Sequence, residues 1–201
     1  MAAGLRGVEL AEVRLDALRD PSEDLAPLFK GKRRVIATCR PGRLDDRERL
    51  SVLGRALDAG AKLVDVELEL PERLRDAFVA EAHRRQALVI VSTHDFEQTP
   101  SQLALRAHAV MCFHADADIA KLACRVNRPE DNANLLGLLA EWAPLVVVGM
   151  GRLGLPARLA APLLGAEFTY ASRAGFKSTA PGQLTFDETL ARMQALQRHL
   201  F

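Results

Sequence analysis

Short apolar stretches alternate with longer amphipathic stretches along most of this chain. The short stretches are rich in Val, Ile, Leu and Ala, which is typical of strands that are covered on both faces of a sheet. The sequence predicts seven such strands: "VELAEVRL" (8–15), "RRVIATCR" (33–40), "KLVDVEL" (62–68), "ALVIVSTH" (87–94), "IAKLACRV" (119–126), "PLVVVGMG" (144–151) and "EFTYAS" (167–172).

The stretches between these strands place apolar residues at helical spacing. Helices are predicted within 45–61, 71–86, 99–107 and 128–144. The first helix is expected to end at Gly60, because glycine is common just after the last helical turn. The third is expected to begin with Thr99 as its cap and Pro100 at its first position.

This alternation of strands and helices predicts an α/β fold with a parallel sheet and helices packed outside it. The two usual architectures are an open doubly wound sheet and a (β/α)8 barrel of TIM type. No GxGxxG motif follows the first strand, whereas polar residues occur near the carboxyl ends of many strands, as in barrel enzymes. These residues are Arg14, Asp16, Arg40, Glu67, His94, Lys121 and Met150. We therefore predict one catalytic barrel domain over residues 1–201.

The composition of the chain argues against some classes of function. The chain has 201 residues, 49% of them apolar. Its net charge is +1 and charges of both signs are interspersed, so the sequence gives no sign of a basic surface that would bind nucleic acid. The cysteines (Cys39, Cys112 and Cys124) lie far apart, which favours free thiols of a reducing compartment over disulfides or zinc ligands. The chain shows no signal peptide and no transmembrane stretch, so we expect a cytoplasmic protein.

Lys121 stands in the middle of the apolar stretch "ADIAKLACRV" (117–126). Its side chain either extends to the surface or is buried for a chemical reason, and the pattern alone leaves both interpretations open. A lysine that loses its proton is a nucleophile, and the imine that it forms with a ketone accepts electrons once it is protonated. Nearby cations such as Arg40 and Arg158 would favour the neutral amine.

His94 follows an apolar strand in "VSTHDFEQTP" (91–100). It is either a histidine without a task at the entry to a helix or a general acid and base. Because the carboxyl ends of neighbouring parallel strands converge, His94 lies close to Lys121 if their strands are adjacent.

Further polar residues have both a structural and a functional interpretation. Arg158 is either a surface charge or a clamp for a substrate carboxylate. In "STAPGQ" (178–183), Gly182 would let Thr179 and Gln183 close over a polyol, although an ordinary turn has the same composition. Charges inside the predicted strands are either ion pairs or ligand contacts. They are Glu12, Arg14, Asp16, Asp65 and Glu67.

The order of eight motifs resembles the type I 3-dehydroquinate dehydratase family over nearly the whole chain. The motifs are "EVRLD", "ATCRP", "VDVEL", "VSTHDFEQTP", "ADIAKLA", "VVGMGRLGLPARL", "GAEFTYAS" and "STAPGQLTF". The combination of the histidine–aspartate–phenylalanine run with "DIAKLA" and "APGQ" is more specific than any one of them.

The resemblance implies a (β/α)8 barrel, commonly dimeric, that converts 3-dehydroquinate to 3-dehydroshikimate in the shikimate pathway without metal or cofactor. It implies that Lys121 forms an imine with the C3 ketone. His94 would remove a proton from C2 and protonate the departing C1 hydroxyl. By the same resemblance, the substrate contacts are Glu12, Arg14 and Arg40 for the ring hydroxyls, Arg158 for the carboxylate, Thr179 and Gln183 in a closing loop, and Met150 and Tyr170 as walls.

The chain departs from the family pattern at two places. Family members carry a strand and a helix before the strand of "EVRLD", so we expect a barrel that lacks part of its first β/α unit. In "RPGRLDDRER" (40–49), Arg43 or Leu44 replaces the acidic residue expected to orient His94. A nearby carboxylate would have to substitute, and the candidates are Asp45, Asp46 and Asp65.

Two other functions compete with the dehydratase. One is another imine-forming barrel lyase or aldolase that acts on a phosphorylated sugar, although 169–183 contains no compact phosphate loop. The other is a weakened or non-catalytic homologue that keeps the pocket but has lost turnover.

Overall fold

The computed structural model describes residues 8–18, 20, 23–31, 33–173, 175 and 183–200, which form an α/β structure with six strands. The strands are β1 (Leu10–Arg14), β2 (Arg34–Thr38), β3 (Leu63–Glu67), β4 (Leu88–Asp95), β5 (Ile119–Arg125) and β6 (Leu145–Met150). The helices are α1 (Ala26–Phe29), α2 (Asp46–Asp58), α3 (Glu72–Arg84), α4 (Gln102–His114), α5 (Pro129–Gly137), α6 (Leu155–Ala160) and α7 (Phe186–Leu200), and short 3-10 turns supplement them. The predicted α/β class is confirmed, and the (β/α)8 barrel stays a prediction.

The chain divides into two compact units. The first unit comprises residues 7–92 and 111–119, and the second unit comprises 1–6, 93–110 and 120–201. Strand order follows chain order in each: β1-β2-β3-β4 in the first unit, and β4-β5-β6 in the second, which β4 enters with its last three residues. The paired strands run parallel, as the alternation of strands and helices predicts.

In the first unit, apolar residues of the strands form the core. Ile36, Leu63 and Ile90 are each at most 1% exposed. Helix α2 packs against α3 and begins at a capping box in which the Asp45 side chain accepts the Glu48 backbone N–H. It ends two residues before Gly60, which has a φ of +100°, so the predicted end is confirmed.

In the second unit, α5 and α6 pack against β6, and α6 also packs against α7. A pair of glycines brings the backbones of β6 and the turn before α6 together. A Cβ built at Gly154 would lie 2.3 Å from the carbonyl carbon of Gly149, so this approach requires glycine. This close contact between Gly149 and Gly154 determines where α6 begins.

Two local predictions are wrong. The predicted seventh strand (167–172) forms no ladder with the residues that the structure describes: Glu167 donates one backbone hydrogen bond to the Leu145 carbonyl, and Ser172 makes an isolated bridge with Thr185. The predicted cap of α4 is also wrong, because the Thr99 hydroxyl donates to the Arg125 carbonyl at 2.8 Å and Ser101 caps the helix instead. Among the described residues, no helix combines the length and apolar character needed to cross a membrane.

Candidate active site

Lys121 is buried in the second unit. It is the third residue of β5, whose first six residues are all buried, and it is only 4% exposed. The surface interpretation is therefore wrong. Lys121 also lies inside its strand rather than at the carboxyl end, since its pairing partner is Val146 near the start of β6. An amine in this position is shielded from bulk water, which suits nucleophilic chemistry.

The Lys121 amine faces an aromatic ring. Its Nζ lies 4.5 Å from the centroid of the half-buried Tyr170, and Phe168 packs edge-on against Tyr170 with the ring centroids 5.5 Å apart. The face of an aromatic ring attracts a cation. Tyr170 can therefore contact a positively charged nitrogen at Lys121, whether as an ammonium or as an iminium.

His94 is the seventh residue of β4 and is half-buried. Its ring stacks on Phe96 with the centroids 5.9 Å apart and an angle of 14° between the planes. The next residue, Asp95, accepts the backbone N–H groups of Glu97 and Gln98, which shapes the turn after the strand. Because β4 and β5 are neighbours in the sheet, His94 and Lys121 stand on adjacent strands.

Arg158 of α6 is 3% exposed, so its surface interpretation is wrong. Its Nε donates to the Gly149 carbonyl of β6 at 2.6 Å. Neither terminal nitrogen has a hydrogen-bond partner among the described residues, and both are buried. Burial lowers the pKa of Arg158 from its ordinary value. Two unsatisfied donors on one planar cation form a suitable receptor for a carboxylate.

Arg40 organises the polar residues of the first unit. Its Nη2 contacts Asp65 at 2.7 Å, and its Nη1 lies 3.0 Å from the Ser92 hydroxyl and 3.4 Å from Glu67. Ser92 in turn donates to Asp65 at 2.6 Å. Burial alone would lower the pKa of Arg40, but the carboxylates of Asp65, Glu67 and Glu12 outweigh it and raise the pKa. Arg40 is thus a half-buried cation with carboxylates close to its charge.

The charges of the first strand are also paired. Glu12 accepts a hydrogen bond from the Thr38 hydroxyl at 3.0 Å. Arg14 makes a two-pronged contact with Asp16, at 2.9 and 2.7 Å, and Asp16 also accepts the Arg40 backbone N–H at 3.0 Å. The ion-pair interpretation is therefore correct for Arg14 and Asp16, whereas the contact of Glu12 is a hydrogen bond from a neutral hydroxyl. A role in ligand binding stays open.

The three carboxylates proposed to replace the acidic residue at the Arg43–Leu44 position all have other partners. Asp45 caps α2, Asp46 pairs with Arg49 at 2.9 Å, and Asp65 pairs with Arg40. Each is thus engaged within the first unit.

The remaining predicted site residues lie near the ends of elements or outside the described residues. Met150 is the last residue of β6 and is half-buried. Gln183 is half-buried and precedes α7. Thr179 lies outside the described residues.

Sequence reasoning missed two members of the Arg40 network, Ser92 and Arg49. Arg49 is 4% exposed and contacts Glu67. A signal for it existed: Arg49 shares a helix face with the buried Val52, Leu53 and Ala56, where only apolar residues are expected.

Parallel strands followed by helices, with charged side chains on several neighbouring strands, define an α/β protein of the kind that builds enzyme sites from its strands. Comparison with known proteins gives the family. A sequence model of type I 3-dehydroquinase matches residues 2–199. The chain therefore belongs to the type I 3-dehydroquinase family.

Individual relatives agree with this assignment. A 3-dehydroquinate dehydratase of Methanosarcina acetivorans is 35% identical over 97% of this chain and 88% of its own length. One from Thermococcus gammatolerans is 37% identical over 90% of this chain and 84% of its own length. The crystal structure of 3-dehydroquinate dehydratase from Geobacillus kaustophilus is similar with a TM-score of 0.87 at 30% identity, covering 96% of this chain and 82% of that one.

Proposed function

We propose that this chain dehydrates 3-dehydroquinate to 3-dehydroshikimate through an imine on Lys121. The observation that carries the proposal is the burial of Lys121 on β5, in a chain that belongs to the type I 3-dehydroquinase family. The family's named activity requires a proton to be removed next to a ketone. An imine between a lysine amine and that ketone makes this proton easier to remove.

The chemistry follows from the electron demand of that step. The neutral Lys121 amine adds to the C3 carbonyl, water leaves, and the resulting iminium makes the adjacent C2 proton acidic enough for a histidine to remove. His94 takes this proton and returns one to the C1 hydroxyl, which departs as water. Hydrolysis of the conjugated iminium then releases the product and restores Lys121.

For substrate binding, the terminal nitrogens of Arg158 would donate hydrogen bonds to the substrate carboxylate. By the family resemblance, Gln183 and Thr179 would belong to a loop that closes over the substrate. Met150 and Tyr170 supply walls. Glu12, Arg14 and Arg40 would contact ring hydroxyls, a role that the family resemblance supports and substitution must test.

The test replaces Lys121 with Met and, as a matched control, replaces the exposed Lys62 with Met. The conjugated product absorbs in the ultraviolet, so turnover is followed directly, and borohydride reduces the iminium to a stable adduct that mass spectrometry locates. We expect Lys121→Met to lose about 10⁴-fold or more in kcat and to form no adduct. Lys62→Met should behave as the unchanged protein.

Each alternative has its own result. An adduct on Lys121 without turnover would support the weakened homologue, which the engagement of Asp45, Asp46 and Asp65 favours. An adduct with a sugar phosphate but not with dehydroquinate would support the aldolase. Full turnover by Lys121→Met would end the imine mechanism.

We further propose that the chain forms a single (β/α)8-type domain over residues 1–201 and acts as a homodimer in the cytoplasm. The three cysteines are buried and form no disulfide among the described residues, as in proteins of a reducing compartment. Sedimentation at micromolar concentration tests the dimer, and a monomer there would contradict it.

A further inference from the structure

Arg49 is a buried cation on a helix face that is otherwise apolar. Its side chain is 5% exposed, and Val52, Leu53 and Ala56 on the same face of α2 are buried. An arginine is rarely buried unless its donors are satisfied, because removing a charge from water is costly. The structure shows three acceptors that satisfy it.

The three acceptors come from three different places in the first unit. The Nε of Arg49 donates to the Cys39 carbonyl at 3.0 Å, its Nη1 contacts Asp46 at 2.9 Å, and its Nη2 contacts the Glu67 carboxylate. Cys39 precedes Arg40, and Asp46 begins α2. Arg49 therefore holds both ends of the short connection from β2 to α2.

The same arginine also determines the position of a carboxylate that Arg40 uses. One oxygen of Glu67 contacts Arg49, and the other lies 3.4 Å from Nη1 of Arg40. Arg40 is thus held from two sides: Arg49 fixes the carbonyl just before it and one of the carboxylates that face its guanidinium.

We propose that Arg49 is a positioning residue that holds Arg40 in one orientation for substrate binding. The inference rests on the proposed function only in assigning Arg40 to the substrate. A lysine cannot replace Arg49 fully, because an ammonium lacks the planar fork that reaches three diverging acceptors. Methionine also removes the positive charge that contacts Glu67.

The experiment compares Arg49→Lys and Arg49→Met with Arg47→Lys and Arg47→Met. Arg47 is an exposed arginine on the same helix, two residues earlier. We expect Arg49→Met to raise KM for dehydroquinate about 10-fold while kcat changes much less, in the range that misplaced groups cost. Arg49→Lys should give an intermediate KM, and both Arg47 variants should leave KM unchanged.

A second readout does not depend on turnover. The side-chain N–H signals of Arg40 in ¹⁵N NMR, assigned with an Arg40→Lys variant, report how tightly its guanidinium is held. Arg49→Lys should increase the mobility of these signals, and Arg47→Lys should not. If Arg40 stays equally restrained and KM is unchanged while only the unfolding midpoint falls, Arg49 is merely structural and the inference is wrong.

The two proposals fail separately. If the protein without substitutions shows neither turnover nor a borohydride adduct, the proposed function is wrong. The NMR comparison then still tests the role of Arg49. Where Arg49→Met does not fold, Arg49→Lys combined with Glu67→Gln replaces it. Their effects on Arg40 mobility should be non-additive, because the two residues are in contact; additive effects would overturn the inference.

Discussion

Arg158 is buried and Arg40 is half-buried, with 13% of its side chain exposed, but the surroundings of the two arginines differ. Arg40, in the first unit, meets Asp65, Glu67 and Ser92 through its guanidinium. Arg158, in the second unit, donates one hydrogen bond to the Gly149 carbonyl, and its terminal nitrogens have no partner among the described residues. The pKa of Arg40 is raised, because its carboxylates outweigh burial, and burial lowers that of Arg158.

The difference separates two uses of a buried charge. A cation surrounded by its own carboxylates stabilises the folded chain only as long as every partner is present. A cation that is buried without a counter-charge costs folding free energy and reserves its donors for a ligand that brings the missing charge. We therefore expect a substitution by methionine to reduce mainly the stability of the fold at Arg40 and mainly the binding of substrate at Arg158.

Arg40→Met should produce the largest loss of stability. It leaves Asp65 and Glu67 buried without their shared cation, and breaking a buried pair in this way costs about 3–5 kcal/mol. Urea unfolding followed by circular dichroism measures the change. A loss below about 1 kcal/mol would show that the carboxylates find other partners, and the contrast with Arg158 would disappear.

Arg158→Met should change the free energy of unfolding by less than about 1 kcal/mol, because it strands no carboxylate among the described residues and loses one hydrogen bond. It should instead raise KM for dehydroquinate about 10- to 100-fold, since hydrogen bonds to charged groups contribute about 1.5–3 kcal/mol. The same urea titration and a steady-state assay test both parts. Strong destabilisation with unchanged KM would make Arg158 a structural residue.

Gly154→Ala should destabilise the protein and shift α6, the helix that carries Arg158. The new Cβ would lie 2.3 Å from the Gly149 carbonyl carbon, so backbone must shift, at a cost of about 1–3 kcal/mol. Gly54→Ala in α2 is the matched control: nothing lies within 4 Å of its Cβ, so alanine should stabilise the helix by about 0.5–1 kcal/mol. An unchanged unfolding midpoint in Gly154→Ala would show that the two backbones are not in tight contact.

Strands with a continuous apolar stretch, such as β4 and β6, are predicted correctly from their composition. Burial on both faces imposes that composition, so the pattern identifies them. The stretch at 167–172 also contains residues that favour strands (Phe168, Thr169 and Tyr170), but it pairs in no ladder with the residues that the structure describes. Strand propensity records how well side chains suit a half-buried surface, and it does not show whether a partner strand is present.

A site residue could be predicted where its type is unusual for the surrounding sequence, and could not be predicted where its type is common there. A lysine in an apolar strand attracts notice, although only the fold decides between burial and surface exposure. Arg49 stands in the charged run "DDRER", which has the composition of any solvated first turn. Its contacts with Cys39 and Glu67 depend on residues 10 and 18 positions away, and no local pattern records them.

Asp16→Asn should have the smallest effect and a distinctive pH dependence. Burial alone would raise the pKa of Asp16, but hydrogen bonds from Arg14 and from the Arg40 backbone outweigh it and lower the pKa. Asp16 therefore stabilises the fold fully above its unfolded pKa of about 4, and this contribution is lost as pH falls through the lower folded value. We expect the variant to lose about 1 kcal/mol near pH 7, since the pair with Arg14 is partly exposed, and the loss to shrink in acid. Urea titrations of both proteins from pH 7 down through this window measure the difference, and a gap that stays constant with pH would show that the charge of Asp16 is not what holds the Arg40 backbone.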